Sequence, residues 1–349
     1  MEEYYEAPSS SSFSSLSITV EQSQPQAPHE ALFLVLAYLP VYELLLMSQV
    51  CTTLRDAVNK DVLPWLNIVV ERPLSSKLSD EILMKITSKA NGRLKTLALI
   101  NCVHVTNQGL QRVIEQNHLI SKLYIPACTS ITPEGVLRAV ETLCQGSHPL
   151  STLRINGIYN IQKEHLDVLA FYLRKNRSPE EQQRQQPIYY HERDNLSVFK
   201  HGESQRIIDL EICPKCFEVR MVYDCPKGEC KRRELPQAQC RGCSFCILRC
   251  ENCGRCLGSQ ETEECACADM LCIDCWLQEF PKCSFCNKPY CKQHTNWWST
   301  CSESEFLCKV CEENSHGYTY TDEIMPNPNI PMDAAESDLE QFKLKEYQL

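Results

Sequence analysis

Near the start of the chain, Leu32, Val35, Leu36 and Leu39 recur at i, i+3, i+4 and i+7. That spacing lines one face of a short helix, opened by Pro28 and stopped by Pro40. A second helix is predicted over Val41–Met47, carrying Leu44, Leu45 and Met47, and a third carries Val50, Leu54, Ala57 and Val58 on one face. Three short helices with such wide apolar coverage hold more apolar surface than a unit of about forty residues can hide internally. Part of it is expected to meet a partner.

Further on the apolar pattern becomes periodic. LKTLALINCVHVTNQGL, from Leu94 to Leu110, superimposes on ISKLYIPACTSITPEGV, from Ile120 to Val136, so Leu97 matches Leu123 and Cys102 matches Cys128. A third copy aligns through Leu150, Leu153, Ile155, Ile158 and Ile161, after an insertion around 145–149, and Leu78–Ile86 echoes the helical half alone. Each L-x-L core predicts a strand and each following segment a returning helix, so the repeat reads as a short leucine-rich-repeat array running on from Asp61–Val70. Cys102 and Cys128 pack under the turns in this reading and are structural.

Polar stretches divide the rest. Residues 1–26 are rich in Ser, Gln and Pro and predict a disordered tail, 174–206 a linker and 313–349 an acidic flexible tail. Between them lie the helical block at 27–70, the repeats at 71–173 and a cysteine-rich region at 207–312. The fold class expected is α+β multidomain: a helical N-terminal block, a short α/β solenoid and a small metal-stapled region.

Of the 24 cysteines all but Cys51, Cys102, Cys128 and Cys144 lie between Cys213 and Cys311. The start MEEYYEAPSS lacks the basic and apolar regions of a secretory signal. No apolar run approaches the roughly 20 residues of a membrane span. The chain is therefore expected in the nucleus, the cytoplasm or both, where thiols stay reduced and dense cysteine points to metal rather than disulfides. C-x-x-C steps stand at 213/216, 240/243, 243/246, 250/253, 253/256, 272/275, 283/286 and 308/311. Each such turn sets two thiolates against one metal at a Zn–S distance of about 2.3 Å, and two turns complete a tetrahedron.

The candidate ligands are Cys213, Cys216, Cys225, Cys230, Cys240, Cys243, Cys246, Cys250, Cys253, Cys256, Cys265 and Cys267, then Cys272, Cys275, Cys283, Cys286, Cys291, His294, Cys308 and Cys311. At four ligands per ion they correspond to about five structural zinc ions, with Cys301 spare. How the first twelve divide is open, because triple steps such as 240/243/246 must be shared between sites. Closed all-thiolate sites are structural, so no residue is expected to do chemistry itself.

The net charge of −10 counts against general nucleic-acid binding. The basic residues from Lys215 to Arg255, with Lys231-Arg232-Arg233, read as a solvated rim around anionic thiolate sites. Trp297 and Trp298 offer either an exposed contact or a cap on the last metal site.

Three resemblances attach to these motifs. The last four ligand pairs, Cys272/Cys275, Cys283/Cys286, Cys291/His294 and Cys308/Cys311, are similar in order to RING-like and FYVE-like cross-braces, which join first with third and second with fourth. The resemblance implies Cys272, Cys275, Cys291 and His294 on one zinc and Cys283, Cys286, Cys308 and Cys311 on another. A second series, Cys253, Cys256, Cys265, Cys267, Cys272, Cys275, Cys283 and Cys286, is only approximately RING-like. The N-terminal block, through Pro28, Glu30, Leu32, Leu36, Tyr38-Leu39-Pro40, Leu44, Leu45, Val50-Cys51, Leu54 and Arg55, resembles an F-box. Ala27 and Leu54 depart from that pattern, which usually has Leu before the proline and often Trp at the second position.

The whole order, F-box, repeats and cysteine-rich end, resembles a small plant family of F-box proteins described as Skp-interacting partners. It implies a substrate receptor of an SCF (Skp-cullin-F-box) ubiquitin ligase, docking to a Skp-type adaptor through Pro28, Leu32, Leu36, Leu39, Pro40, Leu44 and Val50. Through that adaptor it would meet a cullin and a RING subunit, and it would hold an unknown substrate protein. The readings kept beside it are a zinc-dependent nucleic-acid or chromatin-binding regulator and a RING-like ligase acting directly with an E2.

Overall fold

A computed structural model describes residues 29–146, 150–174, 187–193, 206–227, 230, 240–258, 262–279, 281–291, 294, 299–302 and 305–316. The chain divides between Gly258 and Ser259 into two compact units. The expected cysteine-rich region is thus divided between them. Pro28, the basic run 231–233, Trp297 and Trp298 lie outside the described residues.

In the first unit the apolar N-terminal block forms α1 (Glu30–Val35), a single 3-10 turn (Leu36–Tyr38), α2 (Val41–Val50) and α3 (Thr52–Lys60). Pro40 is the N-cap of α2, so the ring that ends one helix begins the next. Four parallel strands follow in chain order: β1 (Asn67–Val70), β2 (Thr96–Leu99), β3 (Lys122–Tyr124) and β4 (Thr152–Arg154). The helices α4 (Asp80–Ser88), α5 (Asn107–Gln116), α6 (Pro133–Gln145) and α7 (Lys163–Arg174) pack on one another in the same order.

The repeat period is visible in the hydrogen bonds. Thr106 and Thr132 cap α5 and α6 by accepting from backbone N–H groups one turn on. The Asp80 carboxylate accepts from the Thr106 amide (2.9 Å) and hydroxyl (2.6 Å), and one repeat later Asn107 Oδ1 accepts from the Thr132 amide (3.0 Å). These ties pass directly over two glycines. A Cβ on Gly109 would stand 2.0 Å from Asp80 Oδ1, and one on Gly135 would stand 1.9 Å from Asn107 Oδ1. Gly135→Ala is therefore expected to cost ~1–3 kcal/mol by breaking the Asn107–Thr132 tie, measured as lost unfolding free energy.

One hydrophobic core runs from the first helices through the whole sheet, uniting Leu36, Leu44, Leu54 and Trp65 with Ile68, Leu97, Leu123, Leu153 and Leu210. Cys102 and Cys128 are fully buried within it, with the Cys128 thiol donating to the Leu99 carbonyl at 3.2 Å.

The cysteine-rich segment of this unit starts as an extension of the sheet. The Leu153 amide donates to the Ile207 carbonyl at 2.7 Å, and Leu153 and Ile208 form a parallel bridge. Buried Asp209 then accepts from the amides of Ile155 and Asn156, both at 3.0 Å. Part of the expected linker is also packed. The Asp224 amide donates to the Ile188 carbonyl at 2.8 Å and the Ile188 amide to the Asp224 carboxylate at 3.3 Å. Tyr190 meets Tyr223 edge to face with centroids 5.1 Å apart, and the Tyr190 hydroxyl donates to Glu251 at 3.0 Å. Two adjacent tyrosines inside a polar run give that segment something to bury.

The second unit is built from a hairpin of β7 (Thr262–Glu264) and β8 (Met270–Cys272), where β5 (Glu211–Ile212) and β6 (Val219–Arg220) precede it in the first unit. The helix Ile273–Gln278 follows, then an antiparallel pair, Ser299–Ser302 with Glu305–Leu307, and the helix Lys309–His316. No helix among the described residues is long and apolar enough to cross a membrane.

Candidate metal centres and docking face

Four groups of metal-type ligands close up within single units. In the first unit Cys213, Cys216, Cys243 and Cys246 converge, as do Cys225, Cys230, Cys240 and Cys256. In the second unit Cys283, Cys286, Cys308 and Cys311 converge, and so do Cys267, Asp269, Cys291 and His294. None of the cysteines whose side chains are described forms a disulfide. The spacing suits zinc. Ligands at 2.3 Å from one ion in a tetrahedron lie about 3.8 Å apart. Here Cys216 and Cys243 are 3.9 Å apart, Cys225 and Cys256 3.9 Å, and Cys286 and Cys308 3.8 Å.

Local chain geometry makes each pair. After Cys213 the chain turns back through Phe217 at φ +61, with the Phe217 amide donating to the Cys213 carbonyl at 2.9 Å. The same turn recurs at Cys283, with Asn287 at φ +54 and 2.8 Å, and at Cys250, where Gly254 at φ +70 donates at 2.8 Å. The segment carrying the second pair adds a backbone N–H to the same sulfur: the Cys243 amide reaches Cys213 Sγ at 3.4 Å, and the Cys308 amide reaches Cys283 Sγ at 3.4 Å. Burial pushes the Cys213 thiol up, but N–H groups of Cys243, Cys216 and Lys215 outweigh it and bring the pKa down to about 6. Cys283 behaves alike, with burial overcome by the amides of Cys286, Cys308 and Phe285, again to about 6. In both groups the last thiol goes the other way: burial and the neighbouring sulfurs push Cys246 and Cys311 up to about 12. Four thiolates cannot coexist so close without a cation between them.

The pairing differs from the expected cross-brace at one pair. Cys283/Cys286 do join Cys308/Cys311, but Cys291/His294 join Cys267 and Asp269 instead of Cys272/Cys275. The hairpin explains the exchange. Cys267 and Asp269 lie in its turn, whereas Cys272 ends β8, three residues and roughly 10 Å further along at about 3.3 Å per residue. There Cys272 caps the next helix, its Sγ accepting from the Cys275 amide at 3.4 Å. First still joins third and second joins fourth once Cys267/Asp269 replaces Cys272/Cys275. The RING-like series is not formed, since Cys256 sits with Cys225, Cys230 and Cys240, while Cys283 and Cys286 sit with Cys308 and Cys311.

The basic residues are not simply a solvated rim. Lys215 is exposed, but Arg249 within that stretch is buried, as is Arg206 just before it. The Arg249 guanidinium donates to the carbonyls of Tyr223 (2.7 Å) and Cys240 (2.6 Å), and Arg206 pairs with Glu211 (3.1 Å) and Asp224 (3.0 Å). They tie backbone together where apolar side chains are few.

The expected docking residues divide likewise. Leu36 and Leu44 are each 1% exposed and belong to the core shared with the sheet. Leu32, Leu39 and Pro40 are half-buried, and Val50 is 69% exposed. The apolar surface left facing solvent is Leu34 (69%), Val35, Tyr38 (67%), Leu46 and Val50, with Leu46 and Val50 one turn apart on α2. Periodicity found the buried Leu36, Leu54 and Val58, but Val35 of the first stripe is 48% exposed. The exposed face shows in sequence as apolar residues outside the stripes, such as Leu34 and Leu46, whereas Val50, expected on the third helix's apolar face, ends α2 instead and faces solvent.

Comparison with known proteins gives matches at both ends. A family model described as F-box domain matches residues 28–66, and one described as At3g27290 F-box protein C-terminal domain matches residues 209–285. The chain is 41% identical over 301 residues to F-box protein SKIP28 of Arabidopsis thaliana, covering 83% of this chain and 92% of that protein. It is 36% identical over 248 residues to F-box protein SKIP14 of the same plant, covering 71% of this chain and 54% of that one. To F-box protein At3g27290, also of Arabidopsis thaliana, it is 32% identical over 252 residues, 71% of this chain and 65% of that protein.

Proposed function

Because the chain belongs to the plant F-box proteins of the Skp-interacting-partner type, we propose that it is the substrate-recognition subunit of an SCF ubiquitin ligase. One observation carries the docking half of this reading. An F-box match at residues 28–66 coincides with helices that turn Leu34, Val35, Tyr38, Leu46 and Val50 to solvent although their other face is fully used in the core. Five large apolar side chains exposed within one short helical block are more than the scattered single exposures of an ordinary surface, and mark a candidate interaction site. The adaptor it would take is a Skp-type protein, and through it a cullin and a RING subunit.

The βα array is, in this reading, a short leucine-rich-repeat solenoid that joins the docking face to the cysteine-rich end. The cysteine groups are structural zinc sites, about five ions at four ligands each, and the array or the zinc region presents a target protein. The protein works by position, in the nucleus or the cytoplasm. The buried arginines and the shortage of aromatics among the basic residues weigh against a nucleic-acid role.

A pull-down with a Skp-type adaptor tests the docking claim. Tyr38→Asp combined with Val50→Asp is expected to lower retention at least tenfold while the circular dichroism spectrum and melting curve stay as in the parent, since both side chains face solvent. Retention unchanged by the pair would sink the docking face. Leu36→Asp is not a usable probe, because a charge there enters the core and unfolds it.

A further inference from the structure

The fourth group differs from the others in chemistry. Asp269 Oδ2 lies 3.0 Å from Cys291 Sγ, 3.4 Å from Cys267 Sγ and 2.7 Å from His294 Nδ1, and Cys291 Sγ is 3.2 Å from His294 Nδ1. All four donors lie within 4.8 Å of one another. The chain is folded to make this so. The Ala268 amide donates to the Cys265 carbonyl at 3.0 Å and the Cys265 amide to the Asp269 carbonyl at 2.8 Å, closing a tight turn with Ala268 at φ +64. That turn points the carboxylate at two sulfurs. A carboxylate this near two thiolates is repelled by both, and repulsion is turned to attraction only by a cation among them. Cys265, which spacing alone makes an equal candidate, is buried and within hydrogen-bonding reach of Cys267, yet is not part of the convergent group.

Resting on the zinc reading above, we propose that Asp269 is the fourth protein ligand of a mixed-donor zinc site with Cys267, Cys291 and His294, and that Cys265 is a buried thiol held beside the site without binding the ion. The site is closed, since four protein donors fill a tetrahedron, so it is structural like its neighbours. With two thiolates where the other groups have four, it is also the site that yields its ion first to a competing chelator, because sulfur donors bind zinc more strongly than a single carboxylate oxygen.

The test uses the full chain, purified with zinc, and elemental analysis of the parent, Cys265→Ser, Asp269→Ala and Asp269→Cys proteins. Cys265→Ser is expected to keep the parent's zinc complement and Asp269→Ala to lose one equivalent. Asp269→Cys is expected to restore that equivalent, and after cobalt substitution to strengthen the near-ultraviolet thiolate-to-cobalt band above the parent's. The restoring variant separates a lost ligand from a damaged fold. If Cys265→Ser loses the equivalent and Asp269→Ala keeps it, Cys265 is the ligand and Asp269 only a hydrogen-bond acceptor for His294. That result overturns the proposal, as does a loss in both or in neither. A parent protein purified without zinc would instead defeat the underlying zinc reading.

Discussion

Removing zinc with a strong chelator is expected to unfold the cysteine-rich parts of both units and leave the parallel sheet of the first unit folded. The difference lies in what each part buries. The sheet closes over leucine, isoleucine and valine from Leu36 to Leu210. The cysteine-rich clusters bury mainly the thiols themselves: Cys213 and Cys243 around Val222, Cys225 with Cys230 and Cys240, and Cys283 with Cys308 around Tyr290. Without an ion, those clusters keep little hydrophobic stabilisation and gain like-charge repulsion. With it, a structural zinc contributes of the order of 10–16 kcal/mol at neutral pH in small finger modules. Hydrogen exchange read before and after chelation should show amides from Cys213 to Cys256 losing protection while Leu97, Leu123 and Leu153 keep theirs. Re-adding zinc should restore them. Protection unchanged in a protein shown to be metal-free would end the structural-zinc account.

Acid should act in the same direction. Cys213 and Cys283 have pKa values lowered to about 6. The stabilisation such a thiolate brings is complete above the ordinary thiol range, shrinks as pH falls and is lost below about 6. Zinc content measured after dialysis is therefore expected to fall as pH passes below 6, because protons compete for the ligand sulfurs.

Sequence spacing made some of this legible and concealed the rest for definite reasons. The repeat could be read because buried leucines recur with the strand and helix, and Cys102 and Cys128 mark the same turn. The two faces of the N-terminal helices could not be assigned by the same logic. Leu36 and Leu44 satisfy the apolar stripe because the stripe faces the chain's own core, while Tyr38 lies outside it and Val50, although apolar spacing put it with Leu54 and Val58, ends α2 and faces solvent. Ligand pairing was obscured by overlapping C-x-x-C steps: Cys240 goes to one group and Cys243 and Cys246 to another, a division set by the bridge between Tyr223 and Gly242 rather than by spacing. Asp269 carries no mark in a chain rich in acids, and only the hairpin turn brings it to the sulfurs. Arg249 read as surface charge because basic residues are usually exposed, but a region short of apolar side chains fills its interior with a guanidinium that serves several carbonyls at once.

The seam between the sheet and the cysteine-rich segment of the first unit should depend on one side chain. Asp209→Ala is expected to destabilise that seam by ~2–6 kcal/mol, because each of two buried amides left without an acceptor costs ~1–3 kcal/mol. Those amides belong to Ile155 and Asn156, just past the end of β4, where no further strand residue takes their hydrogen bonds. The Asp209 carboxylate accepts both at 3.0 Å, and so fixes the extended segment Arg206–Asp209 against β4. Asp209→Asn should fall between the parent and Asp209→Ala, because its carbonyl can still accept one amide while its NH2 group faces the other. The measurement is site-resolved exchange at Leu153, Ile155 and Asn156 with zinc retained, which separates the seam from the metal sites. Exchange at these amides unchanged in Asp209→Ala would mean that backbone pairing through Ile207 holds the segment alone. The expected acceleration would instead make this buried carboxylate the anchor that couples the repeats to the first two thiol groups.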